Sequence, residues 1–332
     1  MDYNFTIFCY WEDEELPPLI KKCLETWKKI NKFKIIVLNK NNYKNYVNYD
    51  DYKNIDRKFC SVTKFTDYLR FDLINKYGGI WMDISIIVLK DLNWIEQFNY
   101  NVIFNNTINM KDGEICMESW FFSAKKGNPL IKLIRDDIFS IKVKNDEDKY
   151  IEDTIKDNII IPNNICYHYH LIYLIMSRNI QKNKNLLNDF KVIDCNNGYG
   201  FSHIVDKDSY KKILNYYSFR SKDDLKLIKL TNMDRKLYED DNKKEIFDKY
   251  VFENNIAQSE NEKNRILKII ESFNNINDIN NINDKEYFYI IEQFLNLENN
   301  NNNDSNYKIF KENFLLILFL ILFFIFYLHK NI

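Results

Sequence analysis

The residues with the most chemical potential lie in one stretch, 64–89, KFTDYLRFDLINKYGGIWMDISIIVL. Asp67 and Arg70 are three residues apart, so a helix puts them on one face. Gly78-Gly79 supplies the left-handed stop that ends such a helix. The apolar run that follows, 80–88, contains one acid, Asp83, and one hydroxyl, Ser85. On a strand these two point the same way and Ile84 the other. A carboxylate in an apolar strand carries a large desolvation cost unless it is paired or holds a cation. Asp83 and Ser85 together suit a hard divalent cation, or a metal-bound diphosphate with a ribose hydroxyl. Open α/β sheets bind ligands beyond the carboxyl ends of their strands, where this pair falls. The same residues equally suit an internal strut in which Asp83 pairs with Arg70.

Other candidates are weaker. In Tyr167-His168-Tyr169-His170 the alternation is that of a strand, which would turn both histidines to one side. We read His168 as a hydrogen-bonded core residue, and leave His170 open between that and a ligand role. Glu118 beside Trp120 suits a sugar-binding carboxylate with an aromatic platform, or a surface charge next to a core tryptophan. The charged stretch 142–148 reads as a solvated loop. No phosphate-binding P-loop, G-x-G-x-x-G or G-x-S-x-G occurs, so nucleotide hydrolysis, dinucleotide oxidoreduction and α/β-hydrolase chemistry have no support.

The elements that must position these residues alternate. Residues 5–10 read as a buried strand and 34–38 as a second strand, with a helix over 19–30 opened by Pro17-Pro18 and striped by Leu19, Cys23, Trp27 and Ile30. Residues 61–77 read as a second helix, with Val62, Phe65, Leu69, Leu73 and Tyr77 as its apolar stripe, and 80–88 as a third strand. This order argues for an α/β sheet with parallel pairs.

Of the 332 residues, 47 are Lys or Arg and 48 Asp or Glu, a formal net charge of −1, without the basic excess of a nucleic-acid binder. Aromatics make up 16%, which excludes a wholly disordered chain. The six cysteines form no C-x-x-C pair and read as small buried hydrophobes of a reducing compartment. All six glycines and all four prolines precede residue 201. We expect a compact domain over 1–235, a helical extension over 236–298, an Asn-rich tether over 299–312 and an apolar helix over 313–329. Its core, FLLILFLILFFIFYL, is a membrane tail anchor by expectation, short at about 22 Å against about 30 Å of hydrocarbon. Lys308, Lys311, His329 and Lys330 would snorkel to the interfaces, leaving the preceding domain on the cytosolic side.

Taken together, Thr66, Asp67, Arg70, Tyr77, Gly78, Gly79, Trp81, Asp83 and Ser85 resemble the signature of capsular polysaccharide synthesis proteins. More distantly, the chain is similar to DXD-motif sugar transferases, including initiating yeast mannosyltransferases and the glucosylating domains of clostridial toxins. Phe8, Tyr10, Trp11, Pro17 and Cys23, then Trp120-Phe121, His170 and Lys229-Leu230-Thr231, extend the likeness over about residues 4–235. The resemblance implies a GT-A-like α/β nucleotide-sugar-binding fold. It implies a glycosyltransferase that moves a hexose from a UDP- or GDP-hexose to a glycan, lipid or protein acceptor, with retention, aided by Mn²⁺ or Mg²⁺. In it Asp67 and Arg70 would contact nucleoside or sugar hydroxyls, and Phe8, Tyr10 or Trp11 would stack on the base. Gly79, Trp81 and Trp120 would line the donor site, and Asp83 would touch ribose and cation. The second Asp of the motif is Ser85 here, so the cation would need a further ligand from His170, Glu118 or His203. Glu118 or Glu114 would serve as base if the reaction inverted. The rival expectations are a catalytically inactive, membrane-anchored sugar or nucleotide-sugar binding protein, and a phosphotransferase with Asp83 as nucleophile.

Overall fold

The structure is a computed structural model. It describes residues 6–30, 33–55, 60–107, 110, 113–163, 165–195 and 226–230, with single residues 235, 238, 244, 248 and 252. The expected extension, tether and anchor lie outside the described residues, apart from four single positions of the extension. Among the described residues no helix is long and apolar enough to cross a membrane.

Strand β1 (Thr6–Tyr10) leads through helix α1 (Pro18–Ile30) to β2 (Lys34–Leu38). A single turn, α2 (Tyr49–Tyr52), precedes the long α3 (Val62–Tyr77). Ser61 caps α3 by accepting from the Lys64 N–H, and Gly78, at φ 71°, ends it, its N–H donating to the Ile74 carbonyl. The expected strand over 80–88 is two strands, β3 (Gly79–Met82) and β4 (Ile86–Val88). The break is a turn. The Asp83 N–H donates to the Trp120 carbonyl at 2.9 Å, and the Ile86 N–H returns to the Asp83 carbonyl at 3.1 Å.

Next come β5 (Val102–Asn105), β6 (Met117–Ala124), α4 (Pro129–Ser140) and α5 (Lys144–Lys156). They are followed by α6 (Leu171–Lys182), β7 (Lys191–Asp194) and β8 (Leu227–Lys229). The main sheet runs β2-β1-β3-β6-β5-β7. β1 is parallel to β2 and β3, and β6 is antiparallel to both its neighbours. β4 and β8 form a separate antiparallel pair.

Alternation along the strands divides the core between the two faces of the sheet. Phe8, Tyr10, Trp81 and Phe122 face α3, α4 and α6. Ile7, Cys9, Ile80, Met82 and Phe121 face α1 and the β4–β8 pair. Trp27 locks α1 onto β4 by donating its indole N–H to the Ile86 carbonyl at 2.6 Å. Gly79 is required where β3 passes β1: at φ 110°, a Cβ here would lie 2.4 Å from the Thr6 carbonyl oxygen.

Three local expectations change. Residues 144–148 are not loop but the start of α5. Asp146 caps that start through the Lys142 and Val143 N–H groups, and Glu147 is buried against Lys64 at 2.9 Å. Residues 167–170 are a turn before α6 rather than a strand, with His170 at the helix N-terminus. In α3, Val62 and Tyr77 are exposed at the ends while Asp67, Arg70 and Asp72 are buried, so the helix packs on more than its apolar stripe. Among the described cysteines no disulfide forms, and all but Cys166 are buried.

Candidate functional site

The site is built at the carboxyl end of β3, beside the parallel end of β1. Asp83 follows the last residue of β3, and its side chain is 25% exposed while its surroundings are buried. Three neighbours hold it. The Trp81 indole N–H donates to its Oδ1 at 3.0 Å. Arg70 Nη2 lies 3.7 Å from the same oxygen, and Lys229 Nζ lies 2.9 Å from Oδ2. Burial alone would raise the Asp83 pKa. Lys229, then Arg70, with the hydrogen bonds from Lys229 and Trp81, more than reverse this and hold it below the ordinary value.

Arg70 is 4% exposed and turned inward. Its Nη1 donates to the Ser119 carbonyl at 2.6 Å, its Nε to the Thr66 carbonyl at 3.2 Å and its Nη2 to Thr66 Oγ1 at 3.3 Å. Nη2 also lies 3.3 Å from Asp67, and the guanidinium sits 5.2 Å over the Trp81 ring. Arg70 therefore ties α3 to β6 and to Asp83 instead of reaching for a ligand. The internal strut is present, but as part of a group that leaves Asp83 partly open. Asp67 is 5% exposed, and burial raises its pKa to about 6, with Arg70 opposing and Asp83 adding to the rise.

Ser85 is 4% exposed in the turn after Asp83. It donates to the Leu230 carbonyl at 3.2 Å and accepts from Lys229 Nζ at 2.8 Å. Asp83 and Ser85 thus share a partner, as a common strand face would have required, although a turn brings them to it. That partner is Lys229, on β8. It belonged to the sequence resemblance without a role, and only the pairing of β8 with β4 carries it to the site.

The other expected residues divide. Tyr10 and Trp11 lie at the end of β1; Tyr10 donates its hydroxyl to Glu12 at 2.5 Å, and Trp11 is partly exposed. Phe8 is 2% exposed and stacked on Tyr77 at 5.7 Å, so it is a core residue and no base platform. Trp120 is 3% exposed and packed on Phe104 at 5.2 Å, so it presents no ring to a sugar. Trp81 is 1% exposed and reaches the site only through its indole N–H. Gly79 serves the close approach of β3 to β1. Glu118 is 1% exposed, accepting from Asn106 at 2.7 Å and Tyr173 at 2.7 Å. Burial raises its pKa against those hydrogen bonds, and it is a structural acid without an open face. Glu114 is paired with Lys184. His170 accepts from the Cys166 N–H through Nδ1 at 3.0 Å and packs edge-on against Tyr169 and Tyr173; burial lowers its pKa. None of these contacts is with Asp83 or Ser85. His203 lies outside the described residues.

These placements test the expected divalent cation. Such an ion is held by one or two carboxylates, with water and substrate phosphate completing its oxygen shell. Here Ser85 is engaged both as donor and as acceptor, and Glu118 and His170 are committed elsewhere. The Lys229 ammonium occupies the shared reach of Asp83 and Ser85. Among the described residues no three His, Cys, Asp or Glu side chains come together. Among the described residues, what stands at Asp83 and Ser85 is an ammonium and not a second carboxylate.

No match to a curated protein was found. Similar solved structures include the apo-form glycosyltransferase GlyE of Streptococcus pneumoniae TIGR4, at 13% identity and a TM-score of 0.34, over 69% of this chain and 55% of that one. The chain thus spans about half the length of GlyE. Mouse xyloside xylosyltransferase 1 is similar at 11% identity and a TM-score of 0.39, over 69% of this chain and 98% of that one. The galactosyltransferase LgtC, solved with donor and acceptor sugar analogs, is similar at 14% identity and a TM-score of 0.32, over 59% and 75%. The profile of the family described as capsular polysaccharide synthesis protein matches residues 2–250. That span takes in every strand and helix described above and the whole Asp83 site, and the chain belongs to the capsular polysaccharide synthesis protein family.

Proposed function

We propose that the chain is a glycosyltransferase of GT-A-like fold that moves a hexose from a UDP- or GDP-hexose to a hydroxyl of a glycan, lipid or protein. The observation that carries this reading is the state of Asp83: an ionised carboxylate, partly open, at the carboxyl end of a strand parallel to its neighbour, on a frame of buried groups. An open α/β sheet binds its ligand at such a strand end. Family membership agrees with it, since polysaccharide synthesis needs glycosyl transfer. Asp83 accepts from donor hydroxyls, and Trp11 at the adjacent end of β1 is the aromatic available to the base. The reaction proceeds with retention, which asks for no strong general base; the closure of Glu118 supports this. Membrane attachment through 313–329 rests on the apolar sequence there.

The test is release of nucleoside diphosphate by the full chain across UDP- and GDP-hexoses, with Asp83→Asn as control. Turnover that falls at least about 100-fold in the variant supports the reading. Undiminished turnover removes Asp83 from the site. A second reading, a binder without catalysis, draws on the pairing of Asp83 with Lys229 and Arg70. It predicts thermal stabilisation by a nucleotide sugar with no diphosphate released.

A further inference from the structure

We propose that Lys229 supplies the positive charge of this site and that glycosyl transfer here needs no divalent metal. The inference rests on the glycosyltransferase reading and deepens it. Its basis is charge and position. A paired Asp-x-Asp carries two negative charges, and a divalent ion balances them. Asp83-x-Ser85 carries one; Arg70, 3.7 Å away, is shared with Asp67 at 3.3 Å, and the Lys229 ammonium faces the pair directly, 2.9 Å from Asp83 Oδ2 and 2.8 Å from Ser85 Oγ. The Lys229 side chain is 12% exposed, so its charge is little screened by water. A divalent ion at Asp83 would have to displace this ion pair and would then face both Lys229 and Arg70.

The ammonium has three N–H donors. Asp83 and Ser85 take two, and the third would serve the donor diphosphate. In the transfer, the bond from the sugar C1 to the diphosphate oxygen breaks and its electron pair stays with the phosphate. The acceptor hydroxyl oxygen bonds C1, and its proton ends on the departing diphosphate. The negative charge that grows on the leaving oxygen is what Lys229 stabilises, in the role a metal has elsewhere. Ser85 and Asp83 position the ammonium, and the antiparallel β4–β8 pair carries it into place.

The experiment uses the full chain, a panel of UDP- and GDP-hexoses as probes, and nucleoside diphosphate release as readout, in EDTA and in a Mn²⁺ titration. Wild-type release in EDTA within about twofold of that in Mn²⁺ supports the proposal. Release that appears only with Mn²⁺ overturns it and leaves the glycosyltransferase reading standing. No release under either condition removes the glycosyltransferase reading and this proposal with it. Lys229→Ala should lower metal-free release at least about 100-fold, and Lys229→Arg, which keeps the charge, by about tenfold or less. A Lys229→Ala variant as active in EDTA as wild type overturns the proposal. The double variant Ser85→Asp, Lys229→Ala restores two carboxylates and removes the ammonium. It should bind Mn²⁺ alone by calorimetry where wild type does not, a readout that a merely structural lysine would not move. Equal Mn²⁺ binding by both proteins counts against the proposal.

Discussion

The Trp81 indole N–H and the Asp83 carboxylate, two residues apart in the chain, meet at 3.0 Å. Trp81 is wedged at 1% exposure beneath the Arg70 guanidinium, so its ring has no freedom to swing the donor away. The carboxylate is therefore aimed by a rigid aromatic and only then neutralised by cations. A hydrogen bond to a charged group contributes about 1.5–3 kcal/mol. Trp81→Phe keeps an aromatic ring and loses the N–H. It should lower diphosphate release about tenfold, equivalent to about 1.4 kcal/mol, with the helix content by circular dichroism unchanged. Full activity would show that Asp83 needs no such aim.

Asp67 predicts a pH signature. Its folded pKa, raised to about 6 by burial, lies above the ordinary 3.8. A carboxyl group with a raised folded pKa binds its proton more tightly when folded. Its contribution to stability is complete below the ordinary value and is lost as pH rises through about 6. The shift amounts to about 3 kcal/mol. Asp67→Asn does not titrate, so its stability relative to wild type should rise by about that much between about pH 4 and about pH 7.5. Urea midpoints at the two pH values measure it, and a constant difference refutes it.

Glu118 is expected to act through stability. Its two oxygens accept from Asn106 and Tyr173 at 1% exposure. Glu118→Ala withdraws both acceptors from buried donors and should cost about 3 kcal/mol in urea unfolding. Adding Tyr173→Phe removes one of the stranded donors. The double variant should therefore lose less than the two single losses together, by more than about 1 kcal/mol. Strict additivity would mean the two groups are not coupled.

Gly79 admits no side chain. A Cβ would sit 2.4 Å from the Thr6 carbonyl oxygen, at a φ of 110° that other residues rarely adopt. The Cβ is fixed to one strand's backbone and the oxygen belongs to the backbone of the adjacent parallel strand, so neither gives way cheaply. Gly79→Ala should cost more than about 3 kcal/mol and collapse the yield of soluble protein. A variant of near wild-type urea midpoint would show that β1 and β3 separate more readily than this spacing implies.

What the amino-acid order determined alone was local. Strands β1 and β2, helix α1, and helix α3 with its Gly78-Gly79 stop follow from periodicity, a proline start and a glycine stop, all properties of neighbours in the chain. The same holds for the need of Asp83 for a partner, since an acid in an apolar run requires one whatever the fold. Which partner it found was decided by tertiary structure. Lys229 reaches Ser85 across 144 residues, and no spacing rule connects positions so far apart until β8 pairs with β4. The fold also cut one apolar run into β3 and β4, because the Asp83 N–H took the Trp120 carbonyl of another strand. It turned Phe8 into core and left Trp11 partly open, a difference that residue type does not carry. Short-range preferences set the elements; long-range pairing selected the cation that faces the acid.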